Sequence, residues 1–193
     1  MMESKTNVPV LEFQSAKEWS VWLSKNAQVS NGVWLKIFKK DSGIKTIAYS
    51  EALEESLCYG WIDGQKKSFD EQAWLQKFCP RRPQSIWSKI NIGHIERLTK
   101  AGKMKPQGLK EVAAAKKDGR WEKAYDAQSK MSVPDDFMKE LGKNKKAHEF
   151  YKTLNKANLF SIAFRLQTAK KPETRQKRMK MILSMLSKGE KFH

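Results

Sequence analysis

The sequence predicts an α+β fold, in which a small, mainly antiparallel sheet with packed helices is followed by an all-helical C-terminal segment. Hydrophobic residues recur at helical spacing near the start, alternate with period two in the middle, and return to helical spacing beyond Pro83. The 193 residues, of which 39% are hydrophobic, can bury a core. A fold made only of helices is the competing interpretation.

The first part of the chain supplies the predicted strands. Ser15 and Glu18 form a capping-box pattern that starts a helix, and Gly60 has the position of a left-handed helix stop. The dipeptide Asp63-Gly64 is typical of a tight hairpin turn. Together these signals predict helices over 16–26 and 50–59 and strands over 33–40 and 73–78.

The remaining elements are predicted to be helices. Ser85 or Ser88 can cap a helix that ends at Gly102, and Pro106 can open another that ends at Gly119. After a boundary at 131–136, helices are predicted over 135–142, 145–169 with a break near 155–158, and 173–187. We therefore expect an α+β domain over 1–130, with a Trp-rich core and a basic Pro-Arg-Arg-Pro loop, and a basic helical segment over 131–193.

The charge predicts an anionic partner. The formal net charge is +17, and residues 139–193 contribute +11 of it, from 15 Lys/Arg and 4 Asp/Glu. Such a potential attracts nucleic acid, anionic lipid or anionic metabolites by long-range electrostatics. Nucleic acid is the polyanion that charge alone favours.

Patterns that are missing from the sequence restrict the cellular compartment and the reactions that we expect. It has no apolar run long enough for a membrane span and no pattern of a secretory signal, so we expect a cytoplasmic protein. Cys58 and Cys79 lie 21 residues apart without a CxxC pattern, which predicts reduced structural thiols and no metal site. No hydrolase, zinc-protease or dinucleotide motif occurs, so no catalytic residue and no cofactor is assigned.

The stretch FCPRRPQSIWSKIN, residues 78–91, is the strongest candidate for a specific site. No acidic residue lies between Glu71 and Glu96, and two prolines bracket the arginines just before a helix start. Arginine forks and a helix N-terminus both suit phosphate or carboxylate. The predicted anion-binding residues are Arg81, Arg82, Ser85, Ser88 and Lys89. In the competing interpretation, an arginine pairs with Asp63 or Glu71 and Ser85 only caps a helix.

A pocket beside these arginines is the second site hypothesis. Its lining residues are predicted to be Trp61, Asp63, Lys66, Trp87 and Asn91, with Asp63 positioning a guanidinium or acting as a base. The alternative is that Trp61 is a buried aromatic residue before a tight turn. Spacing leaves both interpretations open.

The last predicted helix is basic and amphipathic. Met179, Ile182, Leu183 and Leu186 share one stripe, which predicts either a packed face with a charged back or a membrane-binding or nucleic-acid-binding surface. The basic residues assigned to this patch are Lys170, Lys171, Arg175 and Arg178.

Several blocks in order resemble the bacterial YdeI/OmpD-associated, or bacteriocin-protection, family. The blocks are GVWLKIFKK, ALEESLCYGWIDG, FCPRRPQSIWSKIN, AAAKKDGRW and AKKPETRQKRM, which together span about Phe13 to Gly189. The resemblance implies a small bacterial cytosolic protein with an α+β front and a helical end, and it implies no settled reaction. The family name implies protection against bacteriocins and association with an outer-membrane porin, although direct contact with a porin conflicts with the expected cytoplasmic location.

These inferences converge on a cytosolic stress- or bacteriocin-protection protein that acts by binding an anion, with nucleic acid as a candidate partner. The alternative is an enzyme or sensor for a small phosphorylated or carboxylated metabolite, with a pocket of Trp, Asp and Arg side chains. We expect neither a transmembrane segment nor peripheral membrane contact. The sequence does not predict an oligomeric state.

Overall fold

The structure is a computed structural model, and it describes residues 8–127 and 129–192. The chain forms two compact units. The first comprises the described residues up to Trp87 together with Asn91–Lys123, and the second comprises Ser88–Ile90 and the described residues from Ala124 onward. The strands and helices of the whole chain, in order, are β1 Val10–Glu12, α1 Ala16–Asn26, β2 Val33–Phe38, α2 Tyr49–Cys58, β3 Trp61–Ser68, β4 Ala73–Pro80, α3 Lys89–Lys100, α4 Pro106–Lys117, α5 Asp135–Gly142, α6 Lys145–Lys152, α7 Lys156–Gln167 and α8 Pro172–Ser187.

The α+β fold class is confirmed. The four strands form one sheet in the order β1-β2-β4-β3, in which β1 pairs parallel to β2 and the other pairs are antiparallel. Val33 pairs with Phe78 and Phe38 pairs with Ala73, so β2 and β4 match along six residue pairs. The sheet is therefore mainly antiparallel, as the alternation predicts.

The hairpin turn predicted at Asp63-Gly64 is wrong. Both residues lie inside β3, where the register with β4 shifts between Asp63 and Lys66. The chain reverses later, after Ser68, where one oxygen of the Asp70 side chain accepts hydrogen bonds from the backbone N–H groups of Gln72 (2.8 Å) and Ala73 (2.6 Å). A β-bulge explains the error, because it accommodates a glycine without reversing the strand.

Tryptophans form the centre of the first unit. The Trp19 ring packs 5.8 Å from the ring of Phe78 and 6.2 Å from that of Trp61, so α1 covers the face of the sheet that holds Phe78. The indole N–H of Trp19 donates to the carbonyl of Ala52 (3.1 Å), and that of Trp61 donates to the carbonyl of Ala27 (3.0 Å). Both rings thus contribute apolar area without leaving a buried donor unpaired.

Helix α4 approaches α2 closely through a glycine. An ideal Cβ built on Gly108 would lie 2.3 Å from the carbonyl oxygen of Cys58, so only glycine fits there. The same carbonyl accepts from the backbone N–H of Lys105 at 3.1 Å, which satisfies a C-terminal group of α2 that has no partner within the helix. This contact places the first turn of α4 beside Gly60, whose φ of +76° ends α2.

The second unit is a small helical bundle. Its core is apolar, and the fully buried residues include Phe137, Leu141, Ile162, Ile182 and Leu186. The predicted break inside 145–169 falls at 153–155, where the Asn155 side chain caps α7 by accepting from the backbone N–H of Asn158 at 3.0 Å. An asparagine cap of this kind starts a new helix and so divides the segment.

The apolar stripe of α8 packs inward. Met179, Ile182 and Leu186 are buried in the core of the second unit, and Leu183 is partly buried against it. A membrane-binding helix needs such a stripe to be exposed, so packing against the bundle accounts for it. Within residues 8–127 and 129–192, no helix combines the length and the hydropathy needed to cross a bilayer.

Candidate functional site

Arg81 is held inside the first unit. It follows β4, its backbone N–H donates to the carbonyl of Gly60 (3.0 Å), and only 6% of its surface is exposed. Its guanidinium carbon lies 3.7 Å from the centre of the Trp87 ring, and Nη1 donates to the carbonyl of Ile86 at 3.0 Å. Arg81 therefore stabilises the loop between β4 and α3 by stacking on Trp87 and by its hydrogen bond to Ile86.

Arg82 lies in a different environment from Arg81. It is exposed, and its backbone carbonyl accepts from the N–H of Ser85 at 2.9 Å, which forms a turn. The carbonyl of Ser85 accepts from Nη1 of Arg120 at 3.0 Å, and Arg120 also pairs with Asp118. One arginine is thus buried and its neighbour is exposed, so the two guanidinium groups do not share one environment.

The remaining residues of the predicted anion site lie at the start of α3. Ser88 is buried and forms an isolated β-bridge with Tyr125, and α3 begins immediately after it at Lys89. The Lys89 ammonium pairs with Asp126 at 2.7 Å. Asn91, in the first turn of α3, is buried.

Asp63 and Lys66 lie on β3 and make other contacts. The Tyr49 hydroxyl donates to the Asp63 carboxylate at 2.8 Å, so Asp63 has a partner that the sequence did not predict. Burial and this carboxylate both raise the pKa of Tyr49, which keeps its hydroxyl protonated as the donor. The Lys66 ammonium lies 4.1 Å from the centre of the Trp74 ring.

Trp61 and Arg81 line one cavity of about 430 Å³. It is bounded by the end of α1, the turn between α2 and β3, the end of β4 and the first turn of α4. Among the described residues its lining comprises Ala27, Gln28, Tyr59, Gly60, Trp61, Pro80, Arg81, Pro106, Gln107, Lys110 and Glu111. Of the predicted pocket residues, this cavity includes Trp61 and adds Arg81 from the predicted anion set, whereas Asp63, Lys66, Trp87 and Asn91 are not in its lining.

The cavity combines cationic, anionic and apolar groups. Arg81 and Lys110 contribute positive charge, Glu111 contributes the negative charge, and the first turn of α4 has backbone N–H groups without acceptors inside the helix. Lys110 and Gln107 were missed in the sequence because only folding brings α4 to the end of the sheet. The sequence did contain the signals for the two elements that form this end of the cavity, because Pro106 marks the start of α4 and Gly60 marks the turn after α2.

Nucleophilic chemistry at the thiols is disfavoured. Burial, with Glu55 adding to it, raises the pKa of Cys58 to about 11, so the thiol stays protonated at neutral pH. Burial also raises the pKa of Cys79. In the part of the chain that the structure describes, no group of three or more His, Cys, Asp or Glu residues could hold a metal ion.

The C-terminal basic patch is divided between structural and exposed residues. Arg175 forms a bidentate pair with Asp136, and Nη1 of Arg178 donates to the carbonyl of Arg165 at 2.7 Å. Lys170 and Lys171 are exposed just before α8. The two arginines thus tie helices of the second unit together.

Comparison with known proteins gives two family matches. Residues 11–111, just over half of the chain, match the family described as Domain of unknown function (DUF8412). The chain belongs to this family. Residues 130–189 match the family described as Bacteriocin-protection, YdeI or OmpD-Associated. The second match is narrower than the resemblance over Phe13 to Gly189 predicts, and the DUF8412 family covers most of the front of the chain instead. No curated protein and no solved structure matches the chain.

Proposed function

We propose that the protein is an anion-binding accessory protein of a bacterial protection response, and that it binds a small phosphorylated or carboxylated molecule in the cavity of the first unit. One observation carries this proposal: Trp61, Arg81 and the first turn of α4 line the same cavity. Its volume of about 430 Å³ falls in the range of small-molecule sites. The link to protection rests on the family match over residues 130–189.

The cavity favours an anion that carries an apolar or planar group. The aromatic residues Tyr59, which is 8% exposed, and Trp61, which is 1% exposed, form the buried apolar side of the cavity, while the exposed Lys110 and the N-terminal turn of α4 provide positive potential. Arg81 is already ordered by Trp87 and by the carbonyl of Ile86, so a ligand would not need to order its side chain.

The cavity favours binding over catalysis. Within the described residues its lining does not include Asp63, the predicted base, whose carboxylate accepts from Tyr49. Glu111 is the acidic side chain present, and it lies beside Lys110 in α4. We therefore propose a binding protein or sensor and assign no reaction.

The proposed organisation has two functional parts that divide near residue 130. The two family matches fall on either side of this position, at 11–111 and 130–189. We propose a cytoplasmic location, which is supported by two free cysteines, one buried and one partly buried.

Nucleic acid is a second candidate partner. The formal net charge of +17 favours it, and the exposed Lys170 and Lys171 add local positive potential in the second unit. Binding to a polyanion releases counterions, so the affinity should fall steeply as the salt concentration rises.

A thermal-shift screen tests the cavity. The panel comprises inorganic phosphate, nucleotides, sugar phosphates and carboxylic acids. A ligand present at about 100 times its Kd adds about 2.7 kcal/mol to the unfolding free energy, which corresponds to a rise in Tm of roughly 5–10 °C. The proposal expects such a rise for at least one phosphorylated or carboxylated compound.

Lys110→Gln is the informative variant, because Lys110 is exposed while Arg81 also stabilises its loop. Its matched control is Lys117→Gln, which removes the same charge from the last turn of α4, away from the cavity lining. The shift should fall in Lys110→Gln and persist in the control. A panel without any stabilising anion, or a shift that is equal in both variants, would contradict the cavity site.

A further inference from the structure

One face of the sheet carries lysines stacked on aromatic rings. In β2 the residues Val33, Leu35 and Ile37 are buried, and the alternating residues project to the opposite side with partial exposure. We define this lysine–aromatic face by six residues, which are Trp34, Lys36, Phe38, Lys67, Phe69 and Lys77. The face is thus opposite the side of the sheet that Trp19 covers.

Trp34 is at the centre of this face. The Lys67 ammonium lies 4.2 Å and the Lys77 ammonium 5.9 Å from the centre of its ring. Trp34 also pairs directly with Lys77 in the β2–β4 register. Two cations from two neighbouring strands therefore converge on one partly exposed indole.

A second cluster continues the pattern along the sheet. The Lys36 ammonium lies 4.5 Å from the ring centre of Phe38 and 4.9 Å from that of Phe69, which is 51% exposed. Glu12 pairs with Lys36 at 3.1 Å, which leaves Lys67 and Lys77 as the unneutralised cations among the contacts described for this face.

The contacts between cations and aromatic rings are concentrated on this face. The described residues form eight contacts between a cation and an aromatic ring. Within the described residues, this one face carries four. Aromatic rings placed among lysines are the combination that binds unpaired nucleic acid, because bases stack on the rings while the ammonium groups neutralise phosphates.

We propose that the lysine–aromatic face binds single-stranded nucleic acid. A base stacks on Trp34, a second stacks on Phe38 or Phe69, and Lys67 and Lys77 move from the ring faces to the adjacent phosphates. Bases in a duplex are already stacked on one another, so exposed rings on a sheet face favour an unpaired strand. Every base has a face to stack on, so the site discriminates weakly between sequences.

This proposal deepens the second candidate function, because it names the surface and the form of the nucleic acid, and it rests on that candidate. It does not rest on the small ligand. The six residues of the face and the lining residues of the cavity have no member in common. Variants of the two sites therefore fail independently.

Fluorescence anisotropy with a labelled single-stranded oligothymidylate and the matching duplex, each over a salt series, tests the proposal on the full chain. We expect tighter binding of the single strand. Trp34→Ala should raise its Kd about tenfold at constant salt slope, since it removes stacking and no charge, and Trp34→Phe should restore most of the affinity.

The paired variant Lys67→Gln with Lys77→Gln should reduce the salt slope by about 1.4, or roughly 0.7 for each phosphate contact to a single strand. Its matched control, Lys103→Gln with Lys117→Gln, removes the same charge from exposed positions outside the face and should leave most of the slope intact. The lysine variants also keep the proposal testable if Trp34→Ala does not fold.

Three results would overturn the proposal. Equal or tighter duplex binding would assign the affinity to charge alone. Equal effects of the two lysine pairs would remove the face as the site. Binding of phosphatidylserine vesicles that depends on Trp34, with oligonucleotide affinity unchanged by its loss, would assign the face to a membrane. Loss of the cavity ligand's thermal shift in Lys110→Gln, with oligonucleotide binding retained, is expected if both sites exist.

Discussion

Replacing Gly108 by alanine should destabilise the first unit, although alanine normally stabilises a helix relative to glycine. Gly108 lies in α4 at its contact with the end of α2. An ideal Cβ would lie 2.3 Å from the carbonyl oxygen of Cys58 and 2.8 Å from that of Leu57. Both neighbours are backbone atoms, so no side chain can rotate away to relieve the contact.

The size of the effect follows from the distance. Real Cβ atoms are essentially never closer than 3.0 Å to such a neighbour, so α4 must retreat by at least the 0.7 Å that separates 2.3 Å from 3.0 Å. Overpacking of this kind costs about 1–3 kcal/mol, and the helix propensity of alanine offsets up to about 1 kcal/mol. With the full offset, we expect a net loss of up to about 2 kcal/mol in the free energy of unfolding.

Gly93→Ala is the matched control. Gly93 lies inside α3, and a Cβ added there meets nothing within 4 Å, so alanine should raise the unfolding free energy by about 0.5–1 kcal/mol. All seven tryptophans lie between residues 19 and 121, within the first unit, so their fluorescence reports its unfolding.

The assay is urea denaturation followed by tryptophan fluorescence. At an unchanged slope the midpoint should fall for Gly108→Ala and rise for Gly93→Ala. A Gly108→Ala protein that is as stable as the Gly93→Ala protein would refute the close contact between α4 and α2. It would also remove the reason for the position of the first turn of α4 in the cavity.

Two predictions concern the second unit. Arg175 lowers the pKa of Asp136 below 3.8, so their pair stabilises the fold above that pH and loses this effect as the pH falls through the folded-state pKa. Asp136→Asn should flatten the acid limb of a stability profile measured by circular dichroism, and it should cost less than about 1 kcal/mol at neutral pH, because both side chains of the pair are partly exposed. An unchanged acid limb would exclude this role. In thermal melts, Ile182→Ala should lower the free energy of unfolding by about 2–5 kcal/mol, since Ile182 is fully buried. The adjacent Met181→Ala should lower it little, because Met181 is 46% exposed. Equal losses would show that α8 does not pack through its apolar stripe.

Local signals account for the elements that sequence reasoning predicts well. The Ser15 side chain caps α1 by accepting from the backbone N–H of Glu18, as the capping-box pattern indicates. Pro106 begins α4, and the break before α7 coincides with Asn155. Each signal acts within one turn of helix, so it can be read without knowledge of the rest of the fold.

Elements that depend on distant partners are harder to predict. Strand β1 has three residues and is defined by its pairing with β2, which follows α1 in the sequence. The three residues themselves give no sign of this pairing. Asp63-Gly64 resembles a hairpin turn, yet its place in β3 is set by pairing with β4. Strand register is a property of the sheet, so local turn propensity was overridden by tertiary pairing.

In the candidate site, too, local sequence indicates some features and only contacts between distant residues determine the others. The sequence places two arginines side by side, and only the fold distinguishes them, because Arg81 turns inward onto Trp87 while Arg82 remains exposed. Trp61 and Arg81 both line the cavity of the first unit. Lys110 joins them from a helix about 30 residues further along the chain, which spacing could not indicate.

In β2, Trp34, Lys36 and Phe38 alternate with buried residues and form part of the lysine–aromatic face. Its lysines rest on rings in contacts worth about 0.5–1 kcal/mol at exposed sites, whereas a stacked base contributes about 1–3 kcal/mol. Because Lys67 and Lys77 together contribute about 1–2 kcal/mol at Trp34, the exchange for a stacked base is close to balanced, and the proposal requires the displaced ammonium groups to gain contacts with phosphates. A ring that already holds two cations is consequently better placed for an unpaired strand than the unpatterned charge of the whole chain, which attracts single strands and duplexes alike.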